Sequence, residues 1–315
     1  MNTAHELGVF SHLIANKKGI SNKSLSKIIE CDEKLLEVIL NGCCALKLMK
    51  KRKSLYFNTI KCSLEELRTF CEFYKIVIYR QMYYLTQTVK TGKPIGLFET
   101  YGSDSPNIYE AKANFPELDN AWTTAMNSLT REHQSIFISK MNYSSYKKIL
   151  DIGGNTGQLA LAIFKKNPDV KITVFDLAHS AKVANENFLK ANAGENLRAI
   201  AGDFMQNEFP IGHDLIQFCH VHGIFKAEDN QKLINKAYKA LDKGGTIALY
   251  DLSLNSTGTK PYETAILSTY FMNCVNGEGR IYSIKEIKGM LKKAGFKNIR
   301  TKRISWMESA IFGEK

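Results

Sequence analysis

Asp151, Gly153, Gly154 and Gly157 stand where the apolar run Ile149-Leu150-Asp151-Ile152 ends in a glycine-rich turn and opens into Leu159-Ala160-Leu161-Ala162-Ile163-Phe164. This pattern predicts a strand, a tight turn and a buried helix. Glycines in such a turn allow backbone that a Cβ forbids and let a ligand approach the main chain, with the N–H groups of the helix start behind it. A dinucleotide fingerprint, G-x-G-x-x-G, would place glycines where Asn155 and Gln158 stand, so the pyrophosphate reading loses and D-x-G-x-x-x-G remains. A second run, Val170-Lys171-Ile172-Thr173-Val174-Phe175-Asp176, also ends in an acid, which can accept hydrogen bonds from both hydroxyls of a ribose or cap the helix that follows. A third ends Ala201-Gly202-Asp203-Phe204, where an acid can accept from an adenine amino group and an aromatic can cover the ring. Glycine loop, acid and acid at three successive strand ends read as an adenosine site.

Those strand ends need a common frame. From Lys147 on, strand patterns at 148–152, 171–177, 197–202, 214–220, 246–252, 297–303 and about 309–314 alternate with helical periodicity over segments such as 180–192, 228–242 and 283–294. The expectation is an α/β fold with a doubly wound, mostly parallel sheet whose ligand lies beyond the carboxyl ends of the strands. Ahead of it come a helix over 4–14, one capped by Ser21 and running to Ile29, one from Lys34 to Leu46, and a hairpin from Leu48 to Asn58, the order of a winged helix. The third helix is apolar (Leu35, Leu36, Val38, Ile39, Leu40) and carries Asp32, Glu33 and Glu37, so a dimerisation role is expected. The competing reading is nucleic-acid binding with Lys50-Lys51-Arg52-Lys53 on phosphate. An aromatic amphipathic stretch from Ser63 to Leu85 stops at Thr91-Gly92-Lys93-Pro94, and helices over 108–114 and 116–140 follow. The expected domains are 1–62 for dimerisation, 63–142 as a helical linker and substrate lid, and 143–315 for the cofactor.

A length of 315 residues with 44% hydrophobic and 23% charged residues suits a globular chain of two domains. The net charge of +12 is largely lysine scattered over helix surfaces, a solvated face. Seven cysteines without C-x-x-C spacing read as free thiols in a reducing cytoplasm and give no metal site. Neither a signal peptide nor a membrane span is expected, because Lys75 and Arg80 interrupt the richest apolar stretch.

In order and spacing, Asp151–Gly157, Phe175-Asp176-Leu177-Ala178-His179, Gly202-Asp203-Phe204, Asp242-Lys243-Gly244-Gly245 and Lys293-Ala294-Gly295-Phe296 resemble the two-domain S-adenosylmethionine-dependent O-methyltransferases. His5-Glu6-Leu7-Gly8-Val9-Phe10 and Gly92-Lys93-Pro94 resemble them too, and the likeness spans essentially the whole chain. It implies a class I methyltransferase sheet with an N-terminal winged-helix dimerisation domain, S-adenosylmethionine as methyl donor, S-adenosylhomocysteine as product, a small aromatic or flat substrate and a homodimer. Asp151, Gly153, Gly154, Gly157, Asp176, Leu177, Asp203, Phe204 and Cys219 are then expected to hold the cofactor.

The acid/base set departs from the family. Its histidine base in His-Asp-Trp aligns with Gly223 in Cys219-His220-Val221-His222-Gly223-Ile224-Phe225, leaving His222 and His220 as candidate bases or as buried, satisfied histidines. The first supporting acid is matched by Asp251, whereas the second aligns with Ile281, with Glu278 off register. Met126, Phe225, Met272 and Asn276 fall where family members contact substrate, and the first three are equally read as core. A displaced base weakens methylation of a weakly acidic hydroxyl most and leaves amines, carboxylates and activated carbons open. It also leaves open a repurposed fold that binds S-adenosylmethionine for decarboxylation, hydroxylation or cyclisation.

Overall fold

Short-range signals decide where the elements of this chain begin and stop. The structure, a computed structural model, describes residues 1–60 and 63–315, apart from the side chains of 130–134. Cys62 and the expected boundary at residue 62 lie outside the described residues. By packing, the chain forms two compact units, Met1–Arg80 with Lys112–Ser128, and Gln81–Ala111 with Leu129–Lys315.

In the first unit the expected helix over 4–14 is two, α1 (Asn2–Glu6) and α2 (Val9–Ala15), because Gly8 takes φ 70 between them. β1 (Ile20–Ser21), which the sequence does not announce, precedes α3 (Asn22–Ile28), whose cap is the Ser21 hydroxyl accepting from Ser24 N. α4 (Glu33–Ala45) is capped by Asp32, which accepts from Leu35 N at 2.9 Å. β2 (Met49–Arg52) and β3 (Leu55–Asn58) make the hairpin, and β1 adds to it in the order β1-β3-β2. Phe10, Leu13, Leu25, Leu36, Leu40 and Tyr56 fill the core of this unit. α5 (Leu64–Glu72) starts from a Ser63/Glu66 capping box, continues π-helically over Phe73–Tyr79 and ends in α6 (Arg80–Met82).

α7 (Leu85–Thr91) stops at Gly92 with φ 67, and α8 (Gly96–Tyr101) and α9 (Ile108–Ala111) complete the first segment of the second unit. α10 (Pro116–Lys140) gives residues to both units. Then follow β4 (Lys148–Ile152), α11 (Gln158–Lys166), β5 (Lys171–Asp176), α12 (Ala178–Lys190), β6 (Leu197–Ala201) and β7 (His213–Cys219). α13 (Ala227–Ala240), β8 (Leu241–Leu252), α14 (Tyr262–Tyr270), α15 (Ile284–Ala294), β9 (Lys297–Arg303) and β10 (Glu308–Glu314) complete the chain. β8 begins at Leu241, ahead of the expected 246, and passes Gly244 at φ 79.

Among the described residues, seven strands form one sheet in the order β6-β5-β4-β7-β8-β10-β9. β6 to β8 are parallel, and β10 runs antiparallel to both β8 and β9. The strand order reverses between β4 and β7, which puts the crevice for a ligand at their carboxyl ends. Alternation along β4 sends Ile149 into the core that holds Phe137, Tyr143 and Tyr250, and Leu150 and Ile152 into the opposite core with Phe175, Phe218 and Leu233. Each such buried side chain contributes about 1.5–3 kcal/mol. Among the described residues no helix is long and apolar enough to cross a membrane.

Candidate active site

Asp151 follows the alternation of β4 and is fully buried, and no partner reaches either carboxylate oxygen at hydrogen-bonding geometry. Burial lifts its pKa to about 7 against the lowering pull of the Gln217 amide. The turn above it uses left-handed backbone at Gly153 (φ 72), Asn155 (φ 51) and Gly157 (φ 74). At Gly154 a Cβ would stand 2.6 Å from Asp151 Oδ2, so glycine lets the backbone lie directly on the carboxylate.

Asp176 closes β5 with Oδ2 accepting from Asn155 N at 2.8 Å and Oδ1 accepting from Leu177 N at 2.7 Å. It thereby ties two strand-end loops together, while each carboxylate oxygen keeps acceptor capacity. Burial raises its pKa. Leu177, beside it, is 55% exposed. Asp203 takes Met205 N on Oδ1 at 2.8 Å, and Lys236 fixes that loop by donating to the carbonyls of Phe204, Met205 and Asn207. Phe204 meets Phe225 edge to face at 5.7 Å. Cys219 ends β7 half-buried, and burial holds its thiol far above the usual range.

The two histidines part company. His220 leaves β7 with φ 57, and its ring turns to Tyr250, edge on at 4.8 Å, on the first core's side. There Nδ1 is 3.6 Å from Asp251 Oδ1 and Nε2 is 3.3 Å from Glu308 Oε1. Burial pulls its pKa down, but the two carboxylates beside it, Asp251 and then Glu308, outweigh this and lift it to about 9. His222 instead lies 5.0 Å from Phe218 of the second core and is 2% exposed. Its Nδ1 is 2.7 Å from Asn230 Oδ1, its Nε2 is buried, and burial lowers its pKa, which keeps the ring neutral.

Packing occupies the two positions at which the chain departs from the pattern it resembles. Gly223 N donates to Asp251 Oδ2 at 3.2 Å, and a Cβ on Gly279 would stand 2.1 Å from Gly223 O. Ile281 is 1% exposed and donates its N–H to Ser268 Oγ at 3.0 Å. Glu278 turns outward to Lys226 at 3.3 Å.

Phe225 and Met272 are half-buried, and Met272 sits in a π-helical turn over Phe271–Val275. Asn276 donates to Ile224 O at 2.7 Å and accepts from the N–H groups of Glu278 and Gly279, so its amide braces the loop that carries Gly223. Met126 is half-buried in the part of α10 that belongs to the first unit.

Sequence reasoning did not find Glu308, Tyr250, Asn230 or Tyr109. Tyr109 is 39% exposed as a residue, and burial of its hydroxyl, then the charges of Asp176 and Asp251, raise its pKa. An acid at the head of the otherwise apolar Ala310-Ile311-Phe312 run was the one available signal for Glu308.

Residues 82–297 match the O-methyltransferase domain, and residues 1–64 match the O-methyltransferase dimerisation domain. The chain is similar to the L-tyrosine C(3)-methyltransferase of Streptomyces lavendulae, at 25% identity over 97% of this chain and 85% of that protein. To the acetylserotonin O-methyltransferase of Gallus gallus it is 25% identical over 100% of this chain and 93% of the relative. Its fold is that of the S-adenosylmethionine-dependent methyltransferase SibL in its apo form, with a TM-score of 0.89 and 22% identity over 100% of this chain and 94% of that one. The chain therefore belongs to the O-methyltransferase family, enzymes that take S-adenosylmethionine as methyl donor.

Proposed function

We propose that this chain moves the methyl group of S-adenosylmethionine to the hydroxyl of a small, flat phenolic metabolite, as a homodimer formed through its first unit. The observation that carries the acceptor class is the His220 ring at the end of β7 with a carboxylate beside each nitrogen. A hydroxyl must give up a proton when it is methylated, whereas an amine that is free at neutral pH needs no base.

The residues present fit the cofactor. The buried, unpartnered Asp151 carboxylate under Gly154 suits an ammonium group, Asp176 suits two ribose hydroxyls, and Asp203 suits an adenine amino group. Leu177 and Phe204 offer apolar cover for the ring, and Cys219 a neutral thiol wall. When bound, the cofactor supplies an electrophilic methyl on a positive sulfur, and its C–S bond breaks with the pair left on sulfur as S-adenosylhomocysteine. What this chain adds is mostly placement. Gly153, Gly154 and Gly157 let the backbone close on the donor, Phe225 and Met272 wall the acceptor, and Asn276 steadies the loop between them. His220 takes the acceptor proton, and Asp251 steadies its ring. His222, bound to Asn230 and shut off from solvent, acts as a structural residue.

The alignment with a C(3)-methyltransferase of tyrosine favours a second reading, methylation of a ring carbon beside the phenol. Loss of the phenolic proton activates that carbon, so the same base serves. In the first unit, the ion pair of Lys51 with Glu37 at 2.9 Å draws charge from the basic turn and supports dimerisation over nucleic-acid binding.

Incubation with methyl-labelled S-adenosylmethionine and a panel of phenols, amines and carboxylic acids, followed by S-adenosylhomocysteine release and product mapping, tests the reading. Turnover of phenols, with label on oxygen or on the adjacent ring carbon, is expected. Turnover confined to amines or carboxylates, or tight cofactor binding with no turnover anywhere, would sink it.

A further inference from the structure

We infer that Glu308 is a positioning residue of the reaction, its buried carboxylate holding His220 by charge at Nε2 so that the ring's other edge serves a weakly acidic hydroxyl of the acceptor. The inference rests on the methyl-transfer reading above and replaces, at new positions, the acid and base that the family keeps near Ile281 and Gly223.

Topology brings the pair together. β10 is inserted antiparallel beside β8, so its first residue, Glu308, lies opposite Leu252, at the same end of the sheet where β7 releases His220. Glu308 is 2% exposed. A buried carboxylate is costly unless it is paired and hydrogen-bonded, and here Tyr250 OH donates to Oε1 at 2.9 Å while Ser305 Oγ donates to Oε2 at 2.8 Å. Tyr250 is itself held, stacked on Phe137 with centroids 4.1 Å apart and planes 5° from parallel. The carboxylate is thus fixed by a packed ring and a loop hydroxyl, and His220 Nε2 meets it at 3.3 Å.

The opposite edge of the ring is set more loosely. Asp251, anchored by the N–H groups of Leu252 and Gly223, approaches Nδ1 at 3.6 Å, beyond a good hydrogen bond. Nε2 is buried and meets Glu308 as a charge at 3.3 Å and not through an aligned hydrogen bond, while the His220 side chain keeps 34% of its surface exposed, toward the edge away from Glu308. The groups facing this ring include Asp251, Glu308 and Tyr250.

Base strength then selects the acceptor. An ordinary histidine, near 6.5, takes a proton from a phenol near 10 only about 3.5 units uphill. Held between two carboxylates, His220 rises to about 9, so the neutral ring that can take the proton fills as pH approaches 9, and from it the same transfer is uphill by roughly one unit. In the step, the neutral ring accepts the hydroxyl proton as the oxygen, or the ring carbon beside it, bonds to the methyl carbon, and the proton then passes to solvent.

The test pairs a titration of the histidine rings by NMR with pH-rate profiles, for the wild type, Glu308→Gln and the conservative Glu308→Asp. For the wild type we expect a His220 midpoint near 9 and a kcat that still climbs between pH 7 and 9. In Glu308→Gln the midpoint and the kinetic limb should both fall by a unit or more, and the high-pH plateau of kcat by about 3- to 10-fold with KM within threefold, while Glu308→Asp restores part of each. Calorimetry of S-adenosylmethionine binding serves as the fold control. If Glu308→Gln does not fold, Ser305→Ala, which frees one carboxylate oxygen, should move both readouts the same way by less. An unshifted midpoint or limb in a folded variant overturns the inference. The NMR midpoint reads the Glu308–His220 contact whether or not phenols are methylated. A normal midpoint shift with no phenol turnover therefore sinks the acceptor class, not the contact.

Discussion

Asp151 carries a cost that the sequence does not display. Its folded pKa of about 7 stands above the 3.8 of an unperturbed aspartate, so between those values the folded chain binds more protons than the unfolded one. Stability contributed by the neutral acid is complete below about pH 4 and is lost as pH rises to about 7. The loss is at most about 4 kcal/mol. Asp151→Asn removes the charge at nearly the same shape. We expect the variant to gain stability over wild type at pH 7.5, to gain less than half as much at pH 5, and to bind S-adenosylmethionine at least tenfold more weakly. Denaturant unfolding at the two pH values and calorimetry measure this, and equal gains at both would discard the account. The residue's place at a strand end was legible from the apolar run before it. Its lack of a partner was not, since that depends on Gly154 and Gln217 in three dimensions. His220 is the sharper case: a left-handed φ at one residue turned its ring to the face opposite His222, and period-two reading has no means of foreseeing such a turn.

At the scale of elements, the strands and the helices between them were readable because burial on both faces of the sheet leaves short, mostly apolar runs, as in Ile172–Phe175 and Leu215–Phe218. What escaped detection were backbone irregularities with weak side-chain signatures: the break at Gly8, the π-helical turns at Phe73–Tyr79 and Phe271–Val275, and the two-residue β1. The glycine turn joins both classes. Its pattern announced it, but Gly157 is also where α11 meets α12: at φ 74, a Cβ there would lie 2.4 Å from the Phe188 ring and 3.3 Å from Ala184. Gly157→Ala therefore meets strain and overpacking together, and we expect a loss of about 2–4 kcal/mol in denaturant unfolding. The companion Gly157→Ala/Phe188→Leu variant should recover the packing part and leave the φ penalty. If the single variant were as stable as wild type, the turn would have to be looser than its contacts indicate.

Over the whole molecule, a net charge of +12 would lead a reader of composition alone to nucleic acid, yet the surface of the first unit argues for protein. α4 buries Leu36, Leu40 and Cys43 in its own core and leaves Leu35 at 70% and Val38 at 67% exposure, with Ile28 at 52% and Leu46 at 64% elsewhere in the unit. Apolar side chains concentrated on a helix that carries Glu33 and Glu37 suit a surface that meets another copy of itself. The match of residues 1–64 to a dimerisation domain points the same way. Leu35→Asp/Val38→Asp puts two charges on that helix without touching its buried side, so each protomer should keep its fold. We expect sedimentation velocity at micromolar concentration to show a dimer for wild type and at least a tenfold weaker association for the variant, with the far-ultraviolet circular dichroism of both alike. A variant that stays fully dimeric would move the interface off α4, and a wild type that sediments as a monomer would remove the dimer.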